Sequence, residues 1–197
     1  MNQHTIIFIG SQGSGKGTQA QRLTEYLEVE YPEVPVFLFG TGEGFRNFAK
    51  EEGYTNKIVA DYLSRGEILP VFLPIWLWTK MCIENLKGNE HIVFEGSPRT
   101  KLEAQVMESA FDFYARDSVT VIKLEVSKEE VVRRLLERGR SDDTREAIEE
   151  RLSWYEENVN PALEFFAENS RYDLVSIDGE KTPDEVFESI LEKTNLS

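Results

Sequence analysis

Residues 10–19 read GSQGSGKGTQ, and these residue types suit one task, the cradling of a phosphate chain. Gly10, Gly13 and Gly15 let the backbone curl until its amides face an anion, with Ser14 between them. Lys16 adds a positive charge, and Gly17 and Thr18 lead into the helical stretch AQRLTEYLEV, whose N-terminal dipole favours negative charge. The usual pattern has Ser or Thr directly after the lysine, whereas here Gly17 fills that place and Thr18 follows. Arginines are the second chemical feature. Arg46 follows GTGEGF, Arg99 follows EGSP, and Arg134, Arg138, Arg140 and Arg151 cluster further on. A planar guanidinium makes paired, charged hydrogen bonds to phosphate oxygens. Transfer between two phosphates spreads negative charge over several oxygens and starts from an oxygen that is already anionic, so it needs positive charge and positioning but no side-chain base. The only histidines, His4 and His91, flank apolar runs and read as structural.

Several elements must position these groups. Apolar runs at Thr5 to Ile9, Val36 to Phe39, His91 to Phe94, Val119 to Val126 and Tyr172 to Ile177 have the length and composition of buried strands. Helical stretches lie between them, and Ser127 with Glu130, Thr182 with Pro183 and Glu185, and Thr100 with Glu103 have the spacing of helix-capping pairs. This alternation predicts an α/β fold: a five-stranded parallel sheet between helical layers, with its ligand site at the carboxyl ends of the strands. The run LPVFLPIWLWTKMCIENL, with Trp76 and Trp78, reads as a buried packing helix, and the single Cys82 as a buried thiol in it. The 197 residues read as one domain without repeats or linkers. The net charge of −14, from 36 acids against 22 bases, argues against nucleic acid or anionic membrane as partner. The opening MNQHTIIFIG has no basic leader and no stretch has the length of a membrane span, so the expectation is a cytoplasmic protein.

The Lys-Gly-Thr variant of the loop resembles that of adenylate kinases and related nucleoside monophosphate kinases. GTGEGFR and EGSPRT, and then RLLERGRSDD, DDTREAIEERLSWYEENVNPALEFF and IDGEKTPDEV, resemble that family's later motifs in order and cover nearly the whole chain. The resemblance implies a helical monophosphate-binding insertion at 41–68, a short lid at 139–144, and a core from 1–40, 69–138 and 145–197. It implies that Gly13, Ser14, Gly15, Lys16, Gly17, Thr18, Arg134, Arg138 and Lys181 hold ATP. It further implies that Thr41, Arg46, Glu67, Leu69, Gly96, Arg99, Glu103, Arg140 and Arg151 hold AMP, with Lys16, Arg99, Arg138, Arg140 and Arg151 catalytic. Magnesium would arrive with ATP and have no direct protein ligand, Thr18, Glu43 and Glu95 acting through its waters; family members usually have Asp at the last two positions. Lid closure would involve Asp142 and Asp143, and a monomer is the expectation. Arg134 stands four residues after Glu130, so ion pairing is an equal alternative for it, whereas Arg145, which matches no family arginine, reads as an exposed ion pair with Glu149. Asp143 with Glu146 also has capping-box spacing.

Base choice turns on Glu103. Adenylate members have Gln four residues after the arginine matching Arg99, and its amide can both donate and accept. An ionised Glu103 only accepts, which on hydrogen-bond inventory suits guanine. Thr41, which matches a hydroxyl that adenylate members keep, and the pairing of Glu103 with Thr100 as a cap point back toward AMP; Gln105 and the space opened by Ser97 lie close by in sequence. The expected reaction is therefore transfer from MgATP to AMP. UMP/CMP or GMP kinases of the same fold, and a silent nucleotide-binding module, are the alternatives.

Overall fold

The computed structural model describes residues 3–140, 143–194 and 196. Asp142 thus lies outside the described residues. Five strands, β1 (Thr5–Ile9), β2 (Val36–Gly40), β3 (His91–Glu95), β4 (Val119–Glu125) and β5 (Tyr172–Asp178), form a parallel sheet in the order β2-β3-β1-β4-β5. The helices are α1 (Lys16–Glu30), α2 (Thr41–Phe48), α3 (Tyr54–Ser64), α4 (Phe72–Asn85), α5 (Lys101–Phe113), α6 (Lys128–Arg138), α7 (Arg145–Ala167) and α8 (Pro183–Thr194). The α/β expectation is met, and all five strands fall within a residue or so of the apolar runs.

Strand periodicity explains the three layers. In β1, Ile6 and Phe8 point to one face and join Ala20, Leu23 and Leu27 of α1 and Val186 and Ile190 of α8. Ile7 and Ile9 point to the other face and join Trp78 and Cys82 of α4, Met107 and Phe111 of α5, and Val159 and Phe166 of α7. A third cluster, Val131 and Leu135 of α6 with Ile148 and Leu152 of α7, locks those two helices together. The central strand β1 sends the chain first toward β2 and β3 and then, through α5, to β4 on its other side. Its carboxyl end is therefore the switch point where a crevice opens between loops.

Two details depart from the sequence reading. In α4, Trp78 is 1% exposed as expected, but Phe72, Trp76 and Ile83 face outward, and Trp76 packs edge-on against Phe48 of α2. At the start of α6, Ser127 Oγ accepts from the Glu130 amide, yet the Glu130 carboxylate bonds Arg133 and Arg134 instead of capping back. Glu180 caps the Ser127 amide in its place, at 2.8 Å. The Thr182–Glu185 pair forms the full reciprocal cap. Both histidines are structural, as expected: they stack at 5.1 Å, and His91 Nδ1 accepts from the His4 amide.

Candidate active site

A cavity of about 1110 Å³ opens at the carboxyl ends of β1, β2 and β3 and is lined by loops and helices from most of the chain. Its floor is the glycine loop. The Ser14 amide bonds the Ser11 carbonyl at 3.1 Å, and Gly15, at φ 94, is the N-cap from which α1 starts. Gly13, at φ 84, passes so close to Leu135 of α6 that a Cβ there would sit 2.9 Å from Leu135 Cγ. Both positions need the left-handed backbone that glycine adopts without strain. Gly13, Gly15, Lys16, Gly17 and Thr18 line the cavity; Ser14 lies beneath it, its hydroxyl buried and unpartnered. The ammonium of Lys16 is held by the Ser11 carbonyl at 2.8 Å. Burial lowers its pKa to about 8, with Arg99 and Arg138 pushing the same way and Glu95 opposing.

Among the described residues, seven cationic side chains outside the glycine loop line this cavity: Arg46 and Lys50 around α2, Arg99 before α5, Arg134 and Arg138 on α6, Arg140 in the α6–α7 connection, and Arg151 on α7. Arg99 is aimed by its own turn, Nε donating to the Gly96 carbonyl at 2.7 Å. Arg138 is held through Nε and Nη2 by the two oxygens of Asp143, both at 3.0 Å, and Arg151 Nη2 reaches the same carboxylate at 3.1 Å. The Asp143 side chain is fully buried between them. This corrects the capping alternative for Asp143, since Thr144 is the N-cap of α7 and accepts from the Ala147 amide. Arg134 lines the cavity and pairs with Glu130 at 2.6 Å, so the ion-pair alternative is formed. Arg145 pairs with Glu149 at 3.7 Å, outside the site.

The remaining wall is formed by α2, α3 and the turn after β3. Thr41, Arg46, Glu67, Leu69, Gly96, Arg99 and Glu103 all line it. Glu67 is engaged by Arg65 through both oxygens. Thr41 Oγ1 and Ser97 Oγ share a 2.7 Å hydrogen bond, so the space expected from Ser97 holds a hydroxyl pair. Glu103 is fully buried. Its amide donates to Thr100 Oγ1 at 3.2 Å, as the cap predicts, but its carboxylate passes the Thr100 amide and takes the Arg99 amide with Oε2 at 2.8 Å. Glu43 and Glu95 converge over Gly40 at the rim, near Lys16. No group of three or more possible metal-binding side chains occurs among the described residues. Thr18, Glu43 and Glu95 line the same cavity, and a hydroxyl and two carboxylates are groups that can orient waters around a divalent ion carried by a nucleotide. Lys181 is exposed and does not line the cavity, although Gly179 of the same connection lies 3.4 Å, measured from an added Cβ, from the Ser14 carbonyl.

The sequence pattern described as Adenylate kinase matches residues 8–171. The chain belongs to the adenylate kinase family. It is 32% identical over 192 residues to the adenylate kinase of Azobacteroides pseudotrichonymphae, covering 95% of each chain. It is 32% identical over 189 residues to that of Thermus thermophilus, covering 94% of each, and 29% identical over 194 residues to that of Parabacteroides distasonis, covering 96% of this chain and 97% of the relative. Within this adenylate kinase fold, several wall residues escaped the sequence reading, Lys50 after α2 among them. Trp154 and Tyr155 of α7 line the cavity, and Trp154 also forms the wall of a neighbouring cleft with Tyr62 and Leu102. The signal that finds them is helical spacing, since they stand three and four residues after Arg151 on one face.

Proposed function

We propose that this chain catalyses the reversible transfer of the terminal phosphoryl group of MgATP to AMP, giving two ADP. The observation that carries this reading is the convergence of Lys16, Arg46, Arg99, Arg138, Arg140 and Arg151 on one cavity with the glycine loop as its floor. In this reading the loop from Gly13 to Thr18, with Arg134, Arg138 and Lys181, receives ATP. Thr41, Arg46, Glu67, Leu69, Gly96, Arg99, Glu103, Arg140 and Arg151 receive AMP.

An anionic oxygen of the acceptor phosphate attacks the γ-phosphorus in line, and the bond from that phosphorus to the β–γ bridging oxygen breaks. No proton moves in this step, which suits a cavity wall whose charged groups are mostly cations. Lys16 and the loop amides hold the donor phosphates; Arg46 and Arg99 grip the acceptor phosphate; Arg138, Arg140 and Arg151 compensate charge on the transferring group. Phosphate oxygens would replace the Asp143 carboxylate on Arg138 and Arg151, so the arginines are pre-positioned before substrate arrives. Magnesium bound with ATP supplies neutralisation of the terminal phosphates, with Thr18, Glu43 and Glu95 placed to orient its waters. The insertion 41–68 and the lid 139–144 close over the nucleotides and exclude water. The reading also includes a cytoplasmic monomer; no described helix is long and apolar enough to cross a membrane.

The deciding experiment measures ADP formation from MgATP with AMP, CMP, UMP, GMP and dTMP. AMP should be turned over best. Turnover with none of them would sink the kinase reading, and a preference for GMP would move the assignment to the guanine alternative.

A further inference from the structure

Glu103 has two oxygens in different situations. Oε2 is committed to the Arg99 amide, whereas Oε1 is buried against the cavity with no hydrogen-bond partner. The Ser97 hydroxyl, which shares a hydrogen bond with Thr41, favours the charged form of Glu103, but Oε1 itself has no partner of hydrogen-bond geometry. A buried polar atom left this way is uncompensated unless a ligand completes it. The helix cap therefore uses only half of the side chain.

What Oε1 can bind depends on its proton. A neutral carboxyl donates from Oε1–H and suits a base whose ring nitrogen carries a lone pair, as in adenine. An ionised carboxyl only accepts and suits a base whose ring nitrogen carries hydrogen, as in guanine. Resting on the phosphotransfer reading above, we propose that Glu103 reads the acceptor base through its own protonation, selecting adenine as the neutral acid and admitting guanine as the anion.

The surroundings fit a carboxyl that titrates upward of the usual range. Burial raises its pKa, and the Arg99 amide, the Ser97 hydroxyl and the Arg99 guanidinium only partly oppose this. Lys16 of α1, Glu43 and Arg46 of α2, Glu95 ending β3, and Arg151 and Tyr155 of α7 line the same cavity from the packed elements. Among the described residues, Arg99 is the charged group that acts on Glu103. An adenine ring nitrogen stabilises the neutral form, so AMP binding is strong below the Glu103 pKa and weakens as pH rises through it. Guanine behaves oppositely.

The test is the KM for AMP and for GMP, with saturating MgATP, from about pH 6 to about pH 9, in the native protein and in Glu103→Gln. The Gln amide donates at every pH, so dividing by its profile removes the titration of the nucleotide phosphate, whose second pKa is about 6, and of Lys16. The native-to-variant KM ratio for AMP should rise, by at most about tenfold per pH unit, while that for GMP falls and the kcat ratio stays flat. If Glu103→Gln does not fold, the ratio of the two KM values in the native protein alone should show the same slope, because both nucleotides carry the same phosphate. Calorimetry of AMP binding in two buffers of different ionisation enthalpy should also show proton uptake by the native protein beyond that of Glu103→Gln. AMP turnover with a pH-independent ratio, or both bases moving together, overturns the inference and leaves the kinase reading intact. Absence of turnover with any monophosphate overturns both.

Discussion

At the scale of single residues, the cavity is a set of charges held in readiness by other protein groups. Lys16 shows this through its proton. Its pKa of about 8 in the unliganded protein means that the ammonium is complete only below that value, and a bound phosphate chain draws the proton back. The KM for MgATP should therefore climb as pH passes about 8; a profile flat well above that value would show that the lysine is not the group that senses ATP. Asp143 holds Arg138 and Arg151 from a fully buried position. Asp143→Ala should lower kcat about tenfold or more through lost positioning and reduce stability by about 1–3 kcal/mol, read from steady-state kinetics and urea unfolding. Unchanged kcat with reduced stability would assign the carboxylate to folding alone. The residue scale is also where sequence reading stopped short. Guanidinium chemistry together with the family resemblance points to Arg46, Arg99, Arg138 and Arg151, and all four line the cavity. Residue type and spacing do not show where a carboxylate turns: Asp143 has the spacing of a cap but binds arginines, and Glu103 reaches one residue beyond its expected amide.

Elements were more legible than side chains, and for a physical reason. A strand buried on both faces must be a continuous apolar run, so TIIFI declares its own limits, while VTVIKLE is marked by its apolar and β-branched residues. The stripe on α4 is less clear because its outward residues, Phe72, Trp76 and Ile83, are as apolar as its inward ones. Between elements, the approach of Gly13 to Leu135 couples the glycine loop to α6 and hence to Arg134 and Arg138. Gly13→Ala combines a left-handed backbone, costing about 1–2 kcal/mol, with a clash that displaces α6. The expected result is lower thermal stability together with weakened ATP binding by calorimetry, and AMP binding affected less. Equal loss of both affinities would indicate general collapse of the loop region.

For the whole molecule, the two ends of the sheet have different chemistry. The carboxyl ends carry the charged cavity, while at the amino ends His4 and His91 stack beside Tyr31, near the buried Arg116–Glu90 pair. Burial, followed by His4 and Arg116, lowers the His91 pKa from 6.5 to about 4. The unfolded chain thus binds more protons than the folded one between these values, so stability falls as pH falls through that window. Urea midpoints should drop between about pH 6.5 and about pH 4.5, with a flatter profile for His91→Gln; equal slopes would place the acid sensitivity in carboxylates. Trp154 gives the architecture one further consequence. Its indole stands in the wall shared by the cavity and the adjoining cleft, while Trp78 is sealed in the core. With Trp76, which faces outward against Phe48, replaced by Phe, the fold carries its own optical reporter: a nucleotide seated against Trp154 changes the polarity around that emitter and leaves Trp78 as a constant background, so occupancy can be followed by colour without a label.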